Sequence, residues 1–284
     1  MSQHACVLEG NAAAGNIISL LLIAIFDAAS SSSKARWFSV HSFANLLVVA
    51  TSIKSVLVVM KDPFNAMDSR IYHDRSVFGS ASPWPIYIVN AVHVYHMLAF
   101  RNLTSADYFH HLMFIPTVGF LGQTYEWGAL RNFLCFFISG LPGGVDYLML
   151  TLVKHKQIDV MLQKRMCAAI NVWLRNPGIT YEVAIMWMAW LYERSTVPPA
   201  VILLVASLSW FNAQYYNKQA VANYAIAHVF GRTAPPHRLT RSCSETAHAN
   251  RHVEERISVT TGLKVPEWGP EAKKPQNTIG ALVV

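Results

Sequence analysis

Between residues 93 and 111 the chain reads HVYHMLAFRNLTSADYFHH, which places four of its twelve histidines in nineteen positions. Imidazole changes charge near neutral pH, so His93, His96, His110 and His111 could carry general acid–base chemistry or ligate a metal. Asn90, His93 and His96 recur at i, i+3 and i+6, along one face of a helix. Farther on, Pro142-Gly143-Gly144 is followed at once by Asp146 and Tyr147, a carboxylate and a phenol beyond a helix-breaking triplet. A neutral imidazole can take a proton from an incoming hydroxyl or amine, and a carboxylate can fix its tautomer and stabilise the imidazolium. The plainer alternative is that histidines in apolar segments only hydrogen-bond a neighbouring helix. Metal chemistry of the membrane hydroxylase type needs repeated histidine boxes. Here HxxH and HH stand alone, His155 and His228 are isolated, and no acidic box compensates, so no metal is expected.

The elements that must position these groups are membrane spans. The chain has 284 residues, 53% hydrophobic and only 14% charged, where a soluble domain carries about a quarter charged. Apolar runs cover roughly 12–29, 37–60, 84–100, 108–124, 132–153, 178–192 and 197–216, an all-α bundle of about seven spans. Lys34 and Arg36 lie between spans one and two, and Lys154, Lys156, Lys164 and Arg165 between spans five and six. With seven spans these basic loops and the basic tail share one side, which predicts a lumenal N-terminus and a cytosolic C-terminus. His96, His110, His111 and Asp146 then all fall in the cytosolic half of the bilayer. The break at Pro142-Gly143-Gly144 would line a cavity there.

Other expectations follow from the same scheme. Ile158, Leu162, Met166, Ile170 and Trp173 recur at helical spacing, an amphipathic helix near 157–175 stopped by Asn176-Pro177-Gly178. Lys54 is expected to snorkel to the lumenal interface, and Asp27 and Glu126 to lie at water. The sequon at Asn102 falls in a cytosolic loop and is expected to be unglycosylated. The chain divides into residues 1–36 with the first span, a bundle over 37–230, and a polar tail over 231–284 that could dock protein partners. The +7 net charge is read as topology and attraction to anionic lipid, and no basic stripe with interleaved aromatics suggests nucleic acid. Cys6, Cys135, Cys167 and Cys243 show no paired spacing.

The segment PWPIYIVNAVHVYHMLAFRNLTSADYFHHLMFI resembles the TLC-domain membrane proteins, which include ceramide synthases and translocating-chain-associated proteins. The shared order is a Tyr-containing span with a polar residue mid-helix, a short loop with an acidic residue, and His-His opening the next span. Glu126, Asn132 and Asp146 continue the pattern, and the resemblance covers roughly residues 37–216. It implies an endoplasmic-reticulum-like endomembrane protein of lipid metabolism, with membrane lipids as partners and acyl-CoA as a candidate acyl donor; no cofactor is implied. His110, His111 and Asp146 correspond to the acyl-transfer site, one of the two histidines as general base and Asp146 as its orienter. Asn90, His93, His96, Asn132 and Tyr147 would line the cavity that holds a lipid or acyl chain. Position 114 is Phe where the synthases carry Thr, and GGVDY supplies one aspartate rather than two. These departures point away from sphingoid N-acylation and toward lipid handling, with a non-catalytic subunit of a larger membrane complex as the alternative.

Overall fold

The fold was read from a computed structural model that describes residues 10–30, 33–100, 103 and 105–233; the sequon at Asn102 and the tail beyond 233 lie outside the described residues. All regular structure among the described residues is helical. The helices are α1 (Gly10–Ala29), α2 (Arg36–Lys61), α3 (Trp84–Ala99), α4 (Ser105–Phe114), α5 (Phe120–Thr124), α6 (Leu130–Cys135), α7 (Leu141–Lys154), α8 (Val160–Ile170), α9 (Asn176–Leu191) and α10 (Pro199–Thr233). Three junctions are not loops but π-helical turns, Ile115–Gly119 joining α4 to α5, Phe136–Gly140 joining α6 to α7, and Asn171–Arg175 joining α8 to α9. The described chain therefore forms seven continuous rods. Three of them hold stretches long and apolar enough to cross a membrane: Ala12–Ala29, Arg36–Lys61 and Leu130–Lys154.

Two expected breaks are corrected here. Pro142-Gly143-Gly144 does not interrupt its helix, and Asn176-Pro177-Gly178 does not stop the amphipathic segment, which runs straight on into α9. Each π-turn contains a proline, Pro116, or ends two residues before one, Pro142 or Pro177. A proline has no amide to donate and its ring crowds the carbonyl four residues earlier, and one widened turn relieves both. The carbonyl of Ile138, four residues before Pro142, accepts a hydrogen bond from Arg175 Nη2 at 2.5 Å. The glycines serve close packing. A Cβ on Gly143 would stand 2.8 Å from Asn45 Nδ2 of α2, and one on Gly178 2.3 Å from the Phe137 ring. The α8–α9 rod from Val160 to Leu191 is about 48 Å long, longer than a hydrocarbon core of about 30 Å, so α8 has length to spare beyond it.

The bundle has an apolar outer surface around an apolar core in which several polar groups are buried. Leu98, Trp173 and Phe211 are 73%, 80% and 65% exposed, whereas Ser52, Ser55, Asn132, Glu182 and Ser209 are fully buried beside Phe133, Ile179 and Ile185. A soluble bundle would carry polar side chains on that outer surface, and an apolar one of this kind suits lipid. One end carries the segment from Asp62 to Pro83, ordered by ion pairs Arg70–Asp68, Lys54–Asp74 and Arg75–Glu126. Lys54 Nζ reaches Asp74 of this segment, and Glu126 is exposed. Lys54 and the Ser76 hydrogen bonds hold the Asp74 carboxyl down at about 2. The Arg70 guanidinium lowers Asp68 in the same direction. The histidines lie at the opposite end.

Candidate functional site: a histidine centre between three helices

Helix α3 presents His93 and His96 on one side, and α4 adds His110 and His111. Adjacent helical residues point about 100° apart, so the pair at 110 and 111 opens a notch, and His93 sits in it. Its ring centroid lies 5.3 Å from that of His110 and 5.0 Å from that of His111. His93 Nδ1 lies 2.6 Å from the Val89 carbonyl oxygen, so Nδ1 carries the proton and donates it there. Nε2 is then a lone pair, and it faces His110 Nε2 at 3.3 Å. Phe114 stacks on His93 at 4.4 Å and closes the notch from the apolar side.

A fifth imidazole comes from α2. His41 stacks on His96 at 3.8 Å and on Tyr147 of α7 at 4.2 Å, and Trp37 covers the other side of His96 at 4.5 Å. His41 is fixed by Nδ1 to the Trp37 carbonyl at 2.8 Å. His96 is 1% exposed, and neither of its ring nitrogens has a hydrogen-bond partner among the described residues. The imidazoles of His41, His96, His111, His93 and His110 thus form one continuous set from three helices. The sequence reading missed His41, a single histidine in an apolar run whose facing direction hydropathy does not reveal.

Asp146 is corrected. Its Oδ1 accepts from Gln163 Nε2 at 2.7 Å, and the carboxyl also hydrogen-bonds Cys167, both on α8. Tyr147, one residue on, turns toward the histidines while Asp146 turns away, so the carboxylate does not orient an imidazole. Asp27 is corrected as well. Far from lying at water it is 1% exposed, held by Arg36 Nε and Nη2, and it accepts from Tyr95 Oη at 2.5 Å. Arg36 in turn covers the Phe100 ring at 5.0 Å, and Phe100 packs on Trp37. The acid that seals this end of the bundle is therefore on α1.

The two expected cavity-lining asparagines lie elsewhere. Asn90 donates to the Gly119 carbonyl at 3.4 Å, a turn deeper than His93, where α3 meets the first π-turn. Asn132 donates to Ser55 Oγ at 3.0 Å, and Ser55 to the Ser80 carbonyl at 2.8 Å, which places Asn132 at the end away from the histidines. An enclosed cavity of about 20 Å³ lies between Ile86, Phe114, Arg131, Cys135 and Met186. It has room for one water and none for an acyl chain, and of the histidine surroundings only Phe114 reaches it. Glu182 was also missed. It is fully buried in α9 with both carboxyl oxygens lacking a hydrogen-bond partner among the described residues, and the visible signal is a lone acid within the apolar run 178–192.

Chemically, the centre offers lone pairs and N–H groups at one apolar end, with His93 and His110 half-buried at the rim and His96 and His111 buried behind them. Such a set can accept and pass a proton or ligate a cation. No protein-family model, curated protein or solved structure matches this chain.

Proposed function

We propose that this chain is a seven-span, TLC-like endomembrane protein of lipid metabolism that brings a lipid or acyl group to its histidine centre at the cytosolic face. The observation that carries the reading is the fixed His93 tautomer, Nδ1–H on the Val89 carbonyl and the Nε2 lone pair on His110 at 3.3 Å, at the rim of an apolar-surfaced bundle. In this role His110 or His111 takes a proton from a lipid hydroxyl or amine, and the adjoining rings share the charge that results. Asp146 has a positioning role on α8 only, and Asp27 with Arg36 and Tyr95 holds α1 and α2 against the site. Substrate would enter at the half-buried rim between α3 and α4. The test is the lipid composition of cells expressing matched amounts of each form. His110→Ala and His111→Ala are expected to return the profile to that of cells lacking the protein, and Asp146→Asn to leave the wild-type effect. Wild-type profiles from both histidine variants would remove the catalytic reading.

A second reading is supported by the ring stacking of Trp37, His96, His41 and Tyr147, which is also what inter-helix packing alone would use. On that reading the chain is a non-catalytic subunit, and gentle purification would recover it with a partner in fixed proportion.

A further inference from the structure

We propose that His93, His110 and His111 form a binding site for one divalent transition-metal ion of the zinc class. The ligand atoms of these three residues all lie within 4.8 Å of one another. Two nitrogens bound about 2.0–2.1 Å from a tetrahedral ion stand roughly 3.3–3.4 Å apart. The His93 and His110 Nε2 atoms already stand at 3.3 Å. The third nitrogen closes at most about 1.5 Å more to reach the same spacing, within the reach of an imidazole rotation.

The surroundings favour the ion over a plain imidazole pair. A metal-binding histidine characteristically donates its other ring N–H to a carbonyl or carboxylate, which fixes the tautomer and raises the basicity of the ligating nitrogen. His93 has that arrangement through the Val89 carbonyl. Three neutral imidazoles with no carboxylate among them suit zinc, copper or iron over calcium or magnesium, which prefer oxygen. Three protein ligands leave a tetrahedral ion one open position, the arrangement of catalytic rather than structural sites. Behind the three lies His96, buried with neither ring nitrogen hydrogen-bonded, its centroid 5.7 Å from that of His111. No metal is expected from the sequence because its histidines form no repeated boxes along the chain. Here the ligands come from two facing helices, a pairing that no linear spacing encodes.

The inference rests on the proposed function only for what the ion would do, which is to polarise a carbonyl or activate a water at the rim. Binding is measured without lipid turnover, so the two ideas fail separately. The full-length protein, purified in detergent and stripped by a chelator, is titrated with Co2+ and followed by visible absorption, then back-titrated with Zn2+. One equivalent of Co2+ with an intense tetrahedral spectrum, bleached by one equivalent of Zn2+, is expected. His93→Ala, His110→Ala and His111→Ala should each weaken binding by at least about tenfold. His155→Ala, at an exposed imidazole that meets Ser33, should leave the spectrum unchanged. His93→Cys should keep the ion and add a thiolate charge-transfer band, which separates ligation from a general loss of fold. Absence of a tetrahedral Co2+ spectrum from the wild-type protein overturns the proposal outright. So does a spectrum that survives His93→Ala or is abolished by His155→Ala.

Discussion

Replacing Asp27 by alanine tests whether α1 is held by a buried ion pair. Asp27 accepts hydrogen bonds from Arg36 Nε and Nη2 and from the Tyr95 hydroxyl, and its side chain is 2% exposed. Breaking a fully buried pair from one side costs about 3–5 kcal/mol. The Arg36 side chain is 39% exposed and recovers part of its hydration, which reduces that share to roughly 1–3 kcal/mol. The orphaned Tyr95 hydroxyl adds about 0.5–1.5 kcal/mol. Asp27→Ala should therefore destabilise by about 2–4 kcal/mol, and Tyr95→Phe by about 1 kcal/mol. At about 2–4 °C per kcal/mol for a chain of this size, the aspartate variant should lower the midpoint of thermal unfolding in detergent by roughly 4–16 °C. Because both variants touch one network, the double variant should fall short of the summed losses by about 0.5 kcal/mol or more. An Asp27→Ala midpoint within 1 °C of wild type, on the order of 0.5 kcal/mol or less, would mean that the acid lies at water after all.

Three further outcomes are expected. Asp74, held near 2 by Lys54 and Ser76, has a folded value below its ordinary 3.8, so its contribution is present above pH 4 and is lost as pH falls through 2. Amide exchange of residues 72–82 should quicken across that window in the wild type, and the step should vanish in Asp74→Asn. Arg175→Met removes the guanidinium from the Ile138 carbonyl in the second π-turn and should cost about 1–3 kcal/mol in thermal unfolding. Glu182→Leu removes a buried carboxyl without a hydrogen-bond partner, and should raise stability by about 1–3 kcal/mol; a loss would reveal a partner for Glu182 in the folded protein.

Hydropathy located the rods well because the length of an apolar run and the length of its helix are set by the same residues. The first five expected segments agree with α1, α2, α3, α4–α5 and α6–α7 to within three residues at each end. The sixth, 178–192, agrees as closely with α9, but the stop expected at Pro177 is absent, because a π-turn lets α8 and α9 run on as one rod. The last extends to Thr233, past the expected 216, because polarity ends the apolar run without ending the helix; no glycine or proline follows until Gly231. Depth along the bundle was legible, since each residue rises a fixed 1.5 Å, and His93, His96, His110 and His111 do share one end. Direction around each helix was not. It separates Asp146, on Gln163, from Tyr147, on His41, although the two residues are neighbours in the chain. The same ignorance hid His41, and counting Asp27 as a charge at the edge of an apolar run hid its partners on α2 and α3.

Photolabelling with an acyl lipid that carries a photoreactive group near its headgroup, followed by mapping of the adducts, tests the central claim most directly. A lipid that comes to the histidine centre should label α3 and α4 around residues 93–111 and Tyr147 of α7, and an excess of unlabelled lipid should suppress the labelling. Adducts spread evenly over the exposed apolar residues of α1, α9 and α10, indifferent to competitor, would contradict it.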